Sequence, residues 1–136
     1  MGIRNLESKR RGQSLDELEA DDWGPPPFDS YLVTTCHRLR KKPIGEFKIE
    51  DLRIMIGQEI GLLFLVPLAL ERIEADPLAE GDYYPGDLLV NVLRVSPEFW
   101  NGHAGWHRRL RDLLRRMELI PGEIAEEVER FQNSEA

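Results

Sequence analysis

The chain is poor in the residues from which thiol and metal chemistry is built, with one cysteine, Cys36, and three histidines. A single thiol excludes an intramolecular disulfide and a multi-cysteine zinc site, and it fits a cytoplasmic setting. Long apolar runs are also lacking. The longest, Ile60 to Leu70, has 11 residues with Gly61 and Pro67 inside it, against the ~20 a membrane-spanning helix requires. The basic start MGIRNLESKRRGQ is followed by acidic SLDELEADD, so no secretory signal is expected. Positive charge is in deficit. A net charge of −7 argues against a general DNA or RNA binder, because phosphate affinity rests on Lys and Arg displacing condensed counterions. It suits a basic partner. No GxxxxGKS or GxxxxGKT, GxGxxG or GxSxG pattern occurs, so nucleotide and serine-hydrolase chemistry lack their usual signatures. No catalytic residue, metal or cofactor is assigned on this basis.

What is present is ordinary globular material. The 136 residues are 41% hydrophobic and 32% charged, which excludes a disordered composition and allows one core-bearing domain. Residues 1–13, with Arg4, Lys9, Arg10 and Arg11, read as a flexible basic tail, and residues 14–136 as one helical domain. Ser14 with Glu17 three residues later is a capping-box pattern, and Pro25 to Pro27 stop the helix it starts. Asp29 or Ser30 can cap the next helix, where Leu32, Cys36 and Leu39 share a face and Arg38, Arg40, Lys41 and Lys42 gather at the C-terminal end. A further helix carries Ile49, Leu52 and Ile56 on one face, with Lys48 standing where a serine would complete a box with Asp51. Residues 60–76 predict an apolar central helix, kinked or broken at Pro67. Asp87 can cap a helix with Leu88, Val92 and Val95 inward, and Ser96-Pro97 signals another. The last two helices are a basic one, with Trp106, Leu110, Leu113, Leu114 and Met117 inward, and an acidic one after Pro121. No clean alternation supports a strand. The expectation is an all-α single compact domain of six or seven helices with a kinked apolar central helix.

Three constellations carry potential chemistry. His103 and His107 stand four apart, a spacing that would direct both imidazoles one way on a helix, but no HExxH glutamate lies between them. Cys36 and His37 diverge by about 100° on a helix and do not form a nucleophile–base pair. Asp21-Asp22 and Glu126-Glu127 fit solvated helix ends better than acid–base or magnesium chemistry. Charge layout is more informative, since residues 13–30 sum to −6 and residues 60–93 to −5, whereas residues 31–42 sum to +4. Acidic segments that also hold Trp23, Tyr83 and Tyr84 suit a recognition surface, with aromatics as anchors and carboxylates steering a basic partner.

The segments LDELEADDWG, DSYLVTTCHRLRKKPIGEF, EDLRIMIGQEIGLLFLVPLALERIEADPLAEGDYYPGDLL and VLRVSPEFW, in this order, resemble the immunity proteins of contact-dependent growth inhibition (CDI) systems over about residues 15–100. The resemblance implies a small intracellular binder that protects a cell by blocking a toxin domain delivered by a neighbour, in many such systems a nuclease. The charge, the short apolar run and the missing motifs add the expectation of no direct nucleic-acid or membrane partner and no enzymatic activity. A small helical adaptor for another basic protein is the alternative. The resemblance does not choose binding residues. On physical grounds the choice falls on Asp21, Asp22 and Trp23 in one polar loop and Glu80, Asp82, Tyr83, Tyr84 and Asp87 in another.

Overall fold

Helix starts follow the caps. The computed structural model describes residues 8–134, opening with a helical turn at residues 8–11 (α1). The Ser14–Glu17 box is complete at Leu15–Leu18 (α2): Ser14 Oγ accepts the Glu17 N–H at 3.3 Å and Glu17 Oε1 accepts the Ser14 N–H at 3.0 Å. Ser30 rather than Asp29 caps Tyr31–Leu39 (α3), its Oγ accepting the Val33 N–H at 3.1 Å. After a 3-10 turn at Ile44–Glu46 comes Ile49–Gly57 (α4). Only half of a box forms there, because the Lys48 ammonium is donor-only and cannot accept the Asp51 N–H. Asp51 Oδ2 takes the Lys48 N–H at 2.9 Å and the Lys42 ammonium at 2.7 Å.

Leu62–Ala75 (α5) runs through Pro67 without a break. Proline removes the bond to the Leu63 carbonyl, at a residue that is 53% exposed. Asp87–Leu93 (α6), Pro97–Asn101 (α7), Ala104–Arg116 (α8) and Gly122–Asn133 (α9) complete the chain. Pro97 stands at the first helical position as expected, but Ser96 Oγ is directed to Glu59 Oε1 at 3.1 Å instead of the helix. The fold is all-α, with nine α-helices among the described residues. The excess over six or seven comes from short segments such as α1, α2 and α7, each of five residues or fewer in the described chain.

The core forms where α5 and α6 meet. Leu65, Val66, Ala69, Leu70 and Ile73 of α5 and Leu88, Leu89 and Val92 of α6 are fully buried, each large apolar side chain contributing about 1.5–3 kcal/mol. Around this pair α4 packs on both, α8 on α5 and α9 on α6. Of the expected basic tail, residues 1–7 lie outside the described residues. In the remainder, Arg11 pairs with Glu71 at 2.5 Å and the Gln13 carbonyl accepts the Ile44 N–H at 3.0 Å.

Candidate interaction surface

The loop between α2 and α3 is organised around a guanidinium. Arg40, at the C-terminal end of α3, is 1% exposed, although its place in a basic run suggests a solvated side chain. Its Nε donates to Asp16 Oδ1 at 2.8 Å, Nη1 to Glu19, and Nη2 to the Asp21 carbonyl at 2.8 Å. The Trp23 ring covers it, with 4.4 Å from Cζ to the ring centroid. A buried cation costs several kcal/mol unless it is neutralised and hydrogen-bonded on all sides, and here two carboxylates, a carbonyl and an aromatic face do so. Trp23 is therefore a lid on Arg40. Asp22 Oδ1 accepts the Gly24 N–H at 2.8 Å and the Lys41 ammonium at 3.0 Å. The backbone bond first and Lys41 second hold its carboxyl below the usual range. His37 Nδ1 lies 3.1 Å from the Gly24 carbonyl, which can only accept, so the proton sits on Nδ1. Asp21 and Asp22 are exposed. Asp21 uses its carbonyl internally, and its carboxylate meets no cation among the described residues.

The loop between α5 and α6 repeats the device. Glu50 Oε1 and Oε2 grip Arg53 at 2.6 and 2.5 Å, and Tyr83 lies over the guanidinium at 4.4 Å. Arg53 is the first cause holding the Glu50 carboxyl below its ordinary value, and the Asp82 N–H, donated to Oε1 at 2.8 Å, adds to it. Asp87 is the centre of the loop. At 1% exposure it accepts the N–H groups of Gly81 at 2.7 Å, Tyr83 at 3.0 Å and, at a longer 3.4 Å, Tyr84. One expectation is corrected here. Asp87 does not cap α6, where Gly86 takes that position with φ +92°, and its carboxylate turns back into the loop because three converging N–H groups need an anion. In the unbound chain it offers a partner no exposed surface. Gly81 is required by close approach, since a Cβ there would lie 2.5 Å from Glu50 Oε1.

The two tyrosines part ways. Tyr84 is half-buried against the core, while Tyr83 is 69% exposed. Of the eight residues chosen from sequence, Asp21, Asp22, Glu80, Asp82 and Tyr83 thus face solvent, Trp23 and Tyr84 are half-buried, and Asp87 is internal. No hydrogen bond or ion pair among the described residues joins the two loops, because one is tied to α3 and the other to α4. Sequence reasoning missed Phe28 and Tyr31, each 68% exposed, and Leu32, 44% exposed. Leu32 was expected inward with Cys36 and Leu39, but it lies in the first turn of α3, ahead of the buried Thr35, Cys36 and Leu39. The available signal was an aromatic directly after three prolines, outside any apolar period.

The other constellations serve packing. His103 stacks on Trp106 at 4.5 Å and Phe99 at 4.4 Å, whereas His107 stacks on Trp100 at 5.7 Å and meets Phe131 edge-on at 5.4 Å. The imidazoles are taken up on different rings of one aromatic cluster, in which Phe99 and Trp100 meet edge-on at 5.3 Å. Among the described residues, no group of three or more His, Cys, Asp or Glu side chains is arranged to hold a metal. Cys36 is buried, and burial pushes its thiol pKa up, away from the nucleophilic thiolate. Glu127 is internal too, its carboxyl held low by Arg94 at 2.8 Å beside a cleft of about 460 Å³ lined by Trp100, Arg111 and Phe131. No helix among the described residues is long and apolar enough to cross a membrane.

These features define a helical scaffold displaying charged and aromatic loops. A family model for CDI immunity proteins matches residues 17–110, and the chain belongs to that family. No curated protein and no solved structure matches it significantly.

Proposed function

We propose that the protein neutralises a cognate contact-dependent growth inhibition toxin domain in the cytoplasm by covering the toxin's active site with its acidic, aromatic loops. It acts by binding and catalyses nothing itself. The observation that carries this reading is that a member of the immunity family keeps Asp21 and Asp82 exposed and, among the described residues, without a cation partner, while neighbouring acids are consumed by Arg40, Lys41 and Arg53. Unpaired carboxylates on stiff loops project a negative field at little ordering cost. A nuclease toxin would meet that field with the electropositive site it uses for phosphate, so attraction would speed association and desolvated contacts would slow release.

The test is co-expression with the toxin domain encoded immediately upstream. Rescue of growth and a co-purifying complex are expected, and a toxin that neither binds nor is silenced would refute the reading. Glu80→Lys with Asp82→Lys is expected to slow association at low salt, with the difference shrinking as salt rises. Unchanged association would remove the second loop from the surface.

A further inference from the structure

Three of the six exposed large apolar side chains among the described residues, Phe28, Tyr31 and Leu32, fall within five positions of the chain. From the surface they occupy we infer that the end of the α2–α3 loop and the first turn of α3 form the anchoring contact for a basic protein partner. The inference rests on the proposed function and deepens it by naming where the toxin domain seats.

Three observations support it. The first is exposure without internal employment. Tyr83, the exposed aromatic of the other loop, has one face committed to Arg53. Among the described residues, Phe28 and Tyr31 have no ring stacking, cation contact or side-chain hydrogen bond. Large aromatics left open in this way are the residue type from which binding hot spots are made.

The second is preorganisation. Pro25, Pro26 and Pro27 fix φ ahead of Phe28, and the Asp22–Gly24 and His37–Gly24 bonds pin the loop's start. The Ser30 cap holds the first turn of α3, which carries Tyr31 and Leu32. Little chain entropy remains to be lost on docking.

The third is charge, which selects the occupant. Residues 13–30 hold six carboxylates and no Lys or Arg. Arg40 engages Asp16 and Glu19, and Lys41 engages Asp16 and Asp22. Asp21 and Asp29 stay exposed, and neither has an ion pair among the described residues. Asp21 precedes the apolar residues in sequence and Asp29 stands among them, between Phe28 and Tyr31. A second copy of the chain would set these carboxylates against each other, whereas a cationic domain would complete them.

The experiment uses the full chain and the purified toxin domain encoded immediately upstream. Phe28→Ala and Tyr31→Ala are each expected to raise Kd at least ~10-fold, mainly through faster dissociation. Asp21→Lys with Asp29→Lys is expected to slow association about tenfold at low salt. Leu119→Ala, at the 81% exposed Leu119, should leave affinity unchanged. Hydrogen exchange on the wild-type complex needs no variant and should show new protection at residues 24–34. If the wild type binds but these variants bind equally well and those residues gain no protection, the seat is elsewhere and the neutralising function stands. If the wild type does not bind the toxin, both fall.

Discussion

Replacing Asp87 with alanine tests the reassignment of a surface acid to an internal one. The carboxylate is 1% exposed and receives the Gly81 and Tyr83 N–H groups at 2.7 and 3.0 Å. A hydrogen bond to a charged acceptor is worth about 1.5–3 kcal/mol. The Tyr83 amide lies under an exposed side chain and can recover water, whereas Gly81 is pressed against Glu50 and cannot do so fully. The long Tyr84 contact adds little. Asp87→Ala is therefore expected to lose about 3 kcal/mol, and Asp87→Asn, which keeps one acceptor oxygen, about half of that. For a domain of this length such a loss lowers Tm by about 10 °C for the alanine variant. Urea unfolding followed by circular dichroism should show a lower midpoint at unchanged m. Limited proteolysis should find residues 76–86 newly sensitive. A loss under about 1 kcal/mol with the loop still protected would show that the carboxylate does not hold it, and would return Asp87 to the list of possible contacts.

Arg40→Met should cost about 3 kcal/mol or more in urea unfolding, because it leaves Asp16 half-buried without its main cation; a neutral result would contradict the buried-pair account. Gly86→Ala meets both a left-handed φ of +92° and an Ile124 Cγ2 atom 3.1 Å from the new Cβ. It should destabilise by about 1–3 kcal/mol, and a stabilised variant would refute the packing there. Glu50, Glu74 and Glu127 have carboxyl pKa values depressed, chiefly by Arg53, Arg109 and Arg94 respectively. Their contribution is complete above the unfolded carboxylate value near about 4.3 and is lost as pH falls through the lower folded values. The urea midpoint should thus be level near neutrality and drop below about pH 4, less steeply in Glu50→Gln; an equal drop in that variant would exclude the Glu50–Arg53 pair as a cause.

Much of the architecture was legible along the chain. The Ser14–Glu17 box, the Ser30 cap, the proline stops and the apolar period of α5, α8 and α9 act within a few residues of one another, and such forces can be read from spacing. At Pro67 the spacing left a kink or a break open, and the continuous α5 excludes the break; that choice depends on the packing around the proline, a property of the fold. Phe28 and Tyr31 went unnoticed, and Leu32 was expected inward, because exposure too is a property of the folded surface. Apolarity in a sequence carries no sign of exposure until the partner face is known to be missing.

By itself the sequence determined the all-α class, the places where helices start and stop, the acidic field and the family likeness, since each depends on local backbone preference, summed charge or residue order. Only the tertiary structure decided which charges are spent. Arg40 meets carboxylates 21 and 24 positions away, and Arg53 draws in Tyr83 from 30 positions away. Those pairings turn Trp23 into a lid and Asp87 into an internal anchor, and they leave Asp21, Asp29 and Asp82 exposed. Coulomb energy and desolvation depend on distance and burial in space, and neither quantity exists until the chain has folded.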